Sequence, residues 1–483
     1  MHFSFAGHIT PGDKRRSDYY YVPFDLPAPC RRLHVSYRYS DRIPADTSEG
    51  GNVIDIGIFD PRGIEFPGGA GFRGWSGSDR KEFTVGIREA TPGYLPGPLP
   101  AGRYRVILGL YRIWPKGADY EIQIEAELET GPQTSEGSQP ATLFQAQKTT
   151  EETPQKANPF LWMQGDLQTH TNHSDGKGSP QVLVSKARRL GLDYLAITDH
   201  NTISSFTLFP TLDTGGLVLI PGQEATTYYG HMNIWRTKRW CDFRCRVDEE
   251  IAAVIDLAHS SGGLCSINHP RSGDMGWFYS TDLPVDTFEV WNGPWPNHNL
   301  ENLELWDELL RKGRRIPAVG GSDYHCPAGE ETGFVRLGQP TTWVKAAERS
   351  VAGVLEALQA GRSCVCAYPN GPRLDIEASS SVSSAGMGEQ LLLTENEAAR
   401  LTVKVTGGVG FSLRVISESG VIHENRVAAT PQEVQIEVPA ERYLRAELVG
   451  DLQAEQLPPN APSGLDLRDW RFAISNPIYI QST

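Results

Sequence analysis

Several features that define other protein classes are missing from this chain of 483 residues. No run of about 18 apolar residues occurs, so the sequence predicts no membrane-spanning helix. The first eight residues contain neither a basic stretch nor an apolar core, and we therefore expect no secretory signal. Lys and Arg number 45 against 59 Asp and Glu, which gives a formal net charge of −14. This acidic balance argues against a nucleic-acid polymer or an anionic membrane as the main partner.

Cysteine and the common nucleophile motifs are also scarce. The seven cysteines are odd in number, and their spacing fits neither a disulfide framework nor a structural zinc site. We therefore expect reduced, buried thiols and a cytoplasmic location. The sequence contains no G-x-S-x-G elbow and no P-loop, so neither a serine nucleophile nor nucleotide chemistry is indicated.

The pattern of apolar residues divides the chain into three segments and a linker. In 1–129, strands of alternating apolar and polar residues, such as 120–128, are separated by Gly and Pro turns, which predicts a β-sandwich-like domain. Residues 130–159 lose all periodicity and are expected to form a linker. In 160–370, short apolar strands alternate with helices, which is typical of a parallel sheet or a (β/α) barrel. Alternating strands return in 371–483, and a second β-sandwich-like domain is expected there.

Histidine placement gives the strongest indication of chemistry. Eight of the twelve histidines fall between residues 170 and 325, and several follow an apolar strand directly. His200, Glu224, His269, Asp323 and His325 all stand at or just after such strands. The carboxyl ends of parallel strands meet at one face, so these distant residues should share one pocket. A single histidine would more often be a packed core or surface residue, but five ligand-type side chains at strand ends favour a site for zinc, manganese or iron.

The same residues carry a resemblance to a known family. The segment Gly-Asp-Leu-Gln-Thr-His-Thr-Asn-His-Ser-Asp-Gly at 165–176 resembles the opening motif of the PHP (polymerase and histidinol phosphatase) superfamily. Thr-Asp-His at 198–200 and Asp-Tyr-His at 323–325 resemble its later motifs. Shorter segments are similar to the CehA/McbA branch of this superfamily, and they lie at 90–98, 230–233, 268–270, 288–293 and 475–479. Together they extend the resemblance over nearly the whole chain.

This resemblance implies an α/β fold in which a distorted (β/α)7 barrel is flanked by the two β-sandwich-like domains. It also implies two or three divalent metal ions, with zinc, manganese or iron as the candidates. The implied ligands are His170, Glu224 and Asp323 for the first ion, Glu224, His231 and His269 for the second, and Asp175, His200 and His325 for the third. The family's first histidine is Gln168 here, and an amide oxygen is a poorer zinc ligand than imidazole. The first site is therefore expected to be weak, to prefer a harder cation, or to be absent.

Chemistry follows from the metals in this interpretation. A pair of cations lowers the pKa of a bound water, holds the resulting hydroxide against a substrate and stabilises an anionic transition state. Asp323 or a neighbouring histidine such as His269 is expected to supply a proton to the leaving group. Arg271 is a candidate for binding a phosphate or carboxylate oxygen, although a surface salt bridge is an equally good explanation. His173, His259 and His298 stand off the ligand positions and are not expected to bind metal.

Three functions remain open from the sequence. The leading hypothesis is a metal-dependent phosphoesterase that acts on a small-molecule monoester, diester or triester. The CehA/McbA resemblance makes a hydrolase of carbamate, amide or carboxylic ester bonds the main alternative. The third is a non-catalytic barrel, which Gln168 motivates and the other eight filled ligand positions oppose. The flanking domains are expected to shape the pocket rim or to form a contact between copies in a homo-oligomer.

Overall fold

The structure is a computed structural model, and it describes residues 1–45, 47, 50–129, 160–271, 276–326, 333–453, 457 and 461–482. The predicted linker at 130–159 lies outside the described residues. The first segment contains these elements: β1 (His2–Ile9), α1 (Pro11–Arg16), β2 (Tyr19–Leu26), β3 (Cys30–Tyr39), β4 (Val53–Phe59), β5 (Phe72–Trp75), β6 (Glu82–Gly86), β7 (Gly102–Arg112) and β8 (Ala118–Leu128).

These strands form two antiparallel four-stranded sheets, in the orders β1–β8–β3–β6 and β2–β7–β4–β5. Buried and exposed residues alternate along β8, which contains the strand predicted at 120–128. The inward-facing side chains of both sheets share one core, which includes Val35, Ile56, Val106 and Ile122. The β1–β8–β3–β6 sheet buries one face in this core and leaves its polar face outside. The β2–β7–β4–β5 sheet also buries its other face, where Phe59 and Phe72 pack against the central segment.

The central segment contains most of the helices. Its elements are β9 (Leu161–Asp166), α2 (Pro180–Arg189), β10 (Tyr194–Ile197), β11 (Val218–Thr227), β12 (Gly230–Trp235), α3 (Asp248–Ser260), β13 (Leu264–Asn268), β14 (Thr287–Asn292), α4 (Asn299–Arg311), β15 (Ala318–Gly321), β16 (Thr341–Ala346), α5 (Val351–Gln359) and β17 (Ser363–Cys366). Two short 3-10 turns, Ser204–Thr207 and Phe209–Thr211, follow β10. The strands pair in the order β15–β14–β13–β12–β11–β10–β9–β16–β17.

This pairing is mixed and does not show the expected (β/α)7 barrel. The pairs β9–β10, β10–β11, β13–β14 and β14–β15 are parallel. However, β12 is antiparallel to both β11 and β13, and β16 is antiparallel to both β9 and β17. The physical reason at β12 is the two-residue turn at Tyr228 and Tyr229, because a parallel crossover needs a dozen or more residues.

The two ends of the strand path still approach each other. Thr342 of β16 accepts a hydrogen bond from Gly320 N at 3.0 Å and donates to Gly320 O at 2.8 Å. Beyond the strands, His170 N donates to Tyr324 O, at 2.9 Å. The segments that follow β9 and β15 therefore run side by side, and this brings the first and last sequence motifs together.

The third segment continues the central sheet. Its strands are β18 (Arg373–Ser379), β19 (Ser384–Gly386), β20 (Gln390–Leu393), β21 (Ala399–Thr406), β22 (Ser412–Ser417), β23 (Gly420–Arg426), β24 (Gln432–Val438), β25 (Tyr443–Gly450), β26 (Trp470–Ser475) and β27 (Ile478–Ser482). One four-stranded sheet has the order β19–β18–β21–β24. The other strands extend the central sheet, because β17 pairs with β26, which leads on to β25, β22 and β23. Strand pairing therefore crosses the predicted boundary between residues 370 and 371.

The first segment packs directly on the central one. The rings of Phe72 and Trp240 stack with their centroids 3.8 Å apart. The Tyr228 hydroxyl, in the turn between β11 and β12, donates to Asp55 of β4 at 2.6 Å. The first segment therefore supports the β11–β12 hairpin.

Two absences predicted from the sequence can be compared with the structure. All seven cysteines are buried and form no disulfide, which confirms the expectation of free thiols. None of the helices in the described part of the chain is long and apolar enough to cross a membrane.

Candidate metal centre

The ends of neighbouring strands carry the predicted ligands to one place. Glu224 lies within β11 and His231 within β12, whereas the others follow β9, β10, β13 and β15; these are His170, Asp175, His200, His269, Asp323 and His325. His269 and Asp323 have φ angles of 26° and 54°, in the left-handed region that non-glycine residues seldom adopt. Such backbone strain is concentrated at functional sites, because the surrounding structure must hold it in place.

Eight of the nine predicted ligands fall into three groups of side chains whose ligand atoms lie within 4.8 Å of one another. The groups are His170–Asp175–His200–His325, Glu224–His231–His269, and His170–Glu224–Asp323. His170 and Glu224 each belong to two groups, so the three form one continuous centre. Gln168, the ninth, lies beside Glu224.

Glu224 stands in the middle of this centre and is almost fully buried. Its Oε2 atom lies 2.8 Å from His200 Nδ1 and 3.5 Å from His170 Nε2. Its Oε1 atom lies 3.3 Å from His231 Nδ1 and 3.5 Å from His269 Nε2. Oε2 therefore faces His170 and His200, whereas Oε1 faces His231 and His269. This is the arrangement that a carboxylate bridging two cations requires.

Asp175 occupies the more exposed side. Its Oδ1 atom lies 3.2 Å from His325 Nε2 and 3.7 Å from His200 Nε2. His325 Nδ1 lies 2.8 Å from the backbone carbonyl of Asp323, and His200 Nδ1 lies 2.6 Å from Thr226 Oγ1. A hydrogen bond at Nδ1 orients the ring so that Nε2 points into the centre, and this is how proteins orient metal-binding histidines.

The donor atoms fit divalent cations. Six buried polar atoms of the centre have no hydrogen-bond partner: His170 Nδ1 and Nε2, Asp175 Oδ1, Glu224 Oε2, His231 Nδ1 and Asp323 Oδ1. Nearly all buried polar atoms in proteins are paired, and bound cations would satisfy this cluster of unpaired ones. His170 Nε2 lies 3.0 Å from Asp323 Oδ1 without hydrogen-bond geometry. Ligand atoms around a tetrahedral cation at ~2 Å are roughly 3.3 Å apart, which is close to this separation.

The carboxylates of the centre are held in their ionised form. Burial raises the pKa of Glu224, but His200 and His231 outweigh it and bring the pKa well below its ordinary value. For Asp175, burial is likewise outweighed, by the charges of His200 and His325, and its pKa also lies well below the ordinary value. Ionised carboxylates are the state that binds a cation.

The histidines of the centre differ in charge. Burial lowers the pKa of His170 and of His231, so both rings are neutral and can bind a metal. His200 is different because Asp175 and Glu224 outweigh the effect of burial and raise its pKa to about 9. A cation at this side must therefore displace a proton from His200.

Three amides that belong to none of the metal groups surround the bridging carboxylate. Glu224 Oε1 accepts hydrogen bonds from Gln168 Nε2 and from Asn268 Nδ2, both at 3.0 Å. Gln168 Oε1 in turn accepts from Asn292 Nδ2 at 3.3 Å. Sequence reasoning missed Asn268 and Asn292 because neutral amides are common and carry no distinctive spacing. Both lie in segments that resemble the CehA/McbA branch, 268–270 and 288–293, but the resemblance gave neither of them a role.

Arg271 and Glu289 complete the polar network. Arg271 Nη1 donates to Asn292 Oδ1 at 3.2 Å, and burial lowers the pKa of its guanidinium. The Glu289 carboxylate accepts from His269 N at 2.7 Å and from Asn292 Nδ2. Burial and the nearby charge of Asp323 raise the pKa of Glu289 well above its ordinary value. Glu289 was not predicted, although a carboxyl group within a buried apolar strand is itself unusual.

Two acidic residues of the sequence motifs hold loops together. Asp166 Oδ1 accepts from Ser322 N at 3.0 Å, which ties the end of β9 to the end of β15. Asp199 accepts from Thr171 N at 2.7 Å and from Ser174 Oγ at 3.1 Å. These contacts fix the loop that presents His170 and Asp175.

The histidines expected to lie outside the centre have other partners. His173 Nδ1 lies 2.7 Å from Ser204 Oγ, which accepts from Gly93 N at 3.0 Å. His173 thereby joins the motif loop to the first segment. His259 pairs with Asp286, and His298 with Glu301, both outside the three groups.

A protein-family model matches part of this chain, and several solved structures resemble it at low sequence identity. Residues 166–244 match the model of the PHP domain. A two-domain protein of Bacteroides vulgatus, described as containing a predicted PHP-like metal-dependent phosphoesterase, is 18% identical over 67% of this chain and 100% of its own, with a TM-score of 0.37. An amidohydrolase of Chromobacterium violaceum is 17% identical over 34% of this chain and 88% of its own, with a TM-score of 0.28.

A third solved structure, a Bifidobacterium adolescentis protein described as a metal-dependent phosphoesterase, is 17% identical over 40% of this chain and 94% of its own, with a TM-score of 0.27. No curated protein matches the chain. The similarity to the PHP domain therefore covers the part of the centre that runs from Gln168 to His231.

Proposed function

We propose that this protein is a metal-dependent hydrolase of the PHP type, and that it cleaves phosphate esters of small molecules. The observation that carries the proposal is the set of unpaired, buried nitrogen and oxygen atoms that converge around Glu224. Imidazole and carboxylate in this mixture suit zinc, manganese or iron. The resemblance to the PHP superfamily as a whole favours phosphate esters among the bonds that such a centre can hydrolyse, whereas the resemblance to its CehA/McbA branch supports carbamates, amides or carboxylic esters as the alternative.

The chemistry divides between the cations and the protein. Divalent cations, when bound, lower the pKa of water and offset the negative charge that develops in the transition state. Glu224 would hold the cations from the buried side of the centre, and His200 would hold one of them from the more exposed side. Asp323 is 21% exposed, and its pKa lies below its ordinary value because the adjacent His170 outweighs the effect of burial. We assign to this partly exposed carboxylate the transfer of a proton from the attacking water to the leaving group, because it lies beside His170 at the edge of the centre.

Arg271 has five N–H donors, and within the described residues one of them, on Nη1, is used in the hydrogen bond to Asn292. A guanidinium can hold a phosphate through two parallel hydrogen bonds, so Arg271 is our candidate for orienting the ester.

The proposal is tested with a panel of nitrophenyl phosphates, phosphodiesters, phosphotriesters, naphthyl carbamates and carboxylic esters, each with added manganese, zinc or iron. We expect turnover of a phosphate ester that is lost on chelation and restored by one of these metals. If only the carbamates or esters react, the bond class is wrong and the amide and carbamate alternative replaces it.

A matched pair of variants and a metal analysis complete the test. His269→Ala should abolish turnover, whereas His298→Ala, a change to an exposed histidine outside the centre, should leave it unchanged. A chain that binds less than one metal ion per molecule and hydrolyses none of the substrates would support the non-catalytic alternative.

A further inference from the structure

The orientation of one amide follows from a residue that can only donate hydrogen bonds. Arg271 has no acceptor atom, so the Asn292 atom that it contacts must be the oxygen. The nitrogen of Asn292 therefore points the other way, where it lies 3.3 Å from Gln168 Oε1 and 3.3 Å from a Glu289 oxygen. Both of those atoms accept hydrogen bonds, so this orientation satisfies every group.

The same logic fixes the next amide. Because Gln168 Oε1 accepts from Asn292, the Gln168 nitrogen must face Glu224, where it lies 3.0 Å from Oε1. The opposite orientation would place an amide oxygen against a carboxylate oxygen and two amide nitrogens against each other. Gln168 is fully buried, so no water compensates for such a mismatch.

We propose that Gln168 is a positioning residue for Glu224 and not a metal ligand, and that the pair Arg271–Asn292 holds it in this role. The inference rests on the proposed function, since it concerns the centre that would bind the metals. It departs from the ligand set that the family resemblance implies. The group His170–Glu224–Asp323 then has three protein ligands, and the amide of Gln168 only orients one of them.

Metal titration separates the two roles of Gln168. Calorimetric titration of the full chain with Mn²⁺ gives the number of sites and the affinity as separate quantities. A positioning role predicts that Gln168→Ala keeps the wild-type number of sites while its affinity weakens about 10- to 100-fold. A loss of one site per chain would overturn the proposal. Gln164→Ala is the control, because Gln164 is also a buried amide, four residues earlier within β9, but bonds Gly191 and Asn370 instead.

The hydrogen bonds from Arg271 through Asn292 and Gln168 to Glu224 form a relay, and variants of Arg271 test it. Arg271→Ala should weaken Mn²⁺ binding by the same factor as Gln168→Ala, and the double variant should bind no more weakly than either single one. Arg271→Lys keeps a group that only donates hydrogen bonds and should restore most of the affinity. Independent effects that multiply in the double variant would refute the relay.

A measurement on the metal-free chain tests the relay independently of the proposed hydrolase function. In the metal-free chain, urea denaturation midpoints of the two single variants and the double variant should not be additive. If the wild-type chain binds no divalent metal, the proposed hydrolase fails, yet this comparison still decides the relay. Additive midpoint shifts would overturn it whatever the metal result.

Discussion

Asp55 should limit the stability of this protein at neutral pH, because its carboxyl group is buried where the first segment contacts the β11–β12 hairpin. It is 8% exposed and accepts a hydrogen bond from the Tyr228 hydroxyl at 2.6 Å. Burial raises its pKa from 3.8 to about 6, although Tyr228 and Lys14 partly oppose this. The same hairpin carries Glu224 and His231, so the contact also supports the metal centre.

The sign of the effect follows from proton linkage. Between pH 3.8 and about 6 the folded chain keeps a proton on Asp55 that the unfolded chain has lost. The stability that this proton confers is fully present below pH 3.8, the pKa of Asp55 in the unfolded chain. It is lost as the pH rises through about 6, the pKa of Asp55 in the folded chain. At about 1.4 kcal/mol per pH unit, the loss amounts to roughly 3 kcal/mol above pH 6.

Asp55→Asn removes this loss, because an amide does not ionise and its oxygen still accepts from Tyr228. We expect the variant to equal the wild type near pH 4 and to be up to about 3 kcal/mol more stable at pH 7. Urea denaturation, followed by tryptophan fluorescence at several pH values, measures the difference. Asp25→Asn is the control, since Asp25 is exposed, pairs with Arg103, and has a pKa lowered by that pairing. No gain for Asp55→Asn at pH 7, or a gain independent of pH, would refute the reasoning.

Three further changes test the centre and its support. Glu224→Ala removes the carboxylate shared by two groups, so we expect loss of turnover and of bound metal with an unchanged circular dichroism spectrum; normal metal content would contradict the bridging role. Gln168→His supplies an imidazole beside Glu224 and should raise the occupancy of the first site, seen as a higher metal content in elemental analysis; no increase would argue against an underoccupied first site. Trp240→Ala removes the ring stacked on Phe72 and should cost about 3–5 kcal/mol of stability, seen as a lower melting temperature; an unchanged value would mean that this contact is not part of the cooperative core.

The ligand-type residues could be read from the sequence because their signal is local. Each strand is marked by a short apolar run, and a histidine or carboxylate at its end needs no knowledge of the fold to be noticed. His200, Glu224 and His269 were all found in this way, and the structure brings them within one centre. The resemblance to the PHP motifs added His170, Asp175 and His231, which alternation alone would not have selected.

The connections between strands could not be read in the same way. The sequence shows that strands and helices alternate, but not which edges pair or in which direction. The turn at Tyr228 and Tyr229 makes β11 and β12 a hairpin, and β17 joins β26 across a predicted boundary. The β17–β26 pairing depends on backbone hydrogen bonds between residues that are far apart in the chain, and such bonds leave no periodic trace in the sequence.

The sequence by itself determined the types of side chain available to this protein, an acidic balance, and the strand ends where histidines and carboxylates accumulate. Only the tertiary structure decided what each polar group does, because the role of a group depends on the atom it faces. Gln168 has the same formula whether it binds a cation or donates to Glu224, and Arg271, far away in the chain, is what selects between them. Chain composition supplies the donors and acceptors, whereas their pairing is a property of three-dimensional distance.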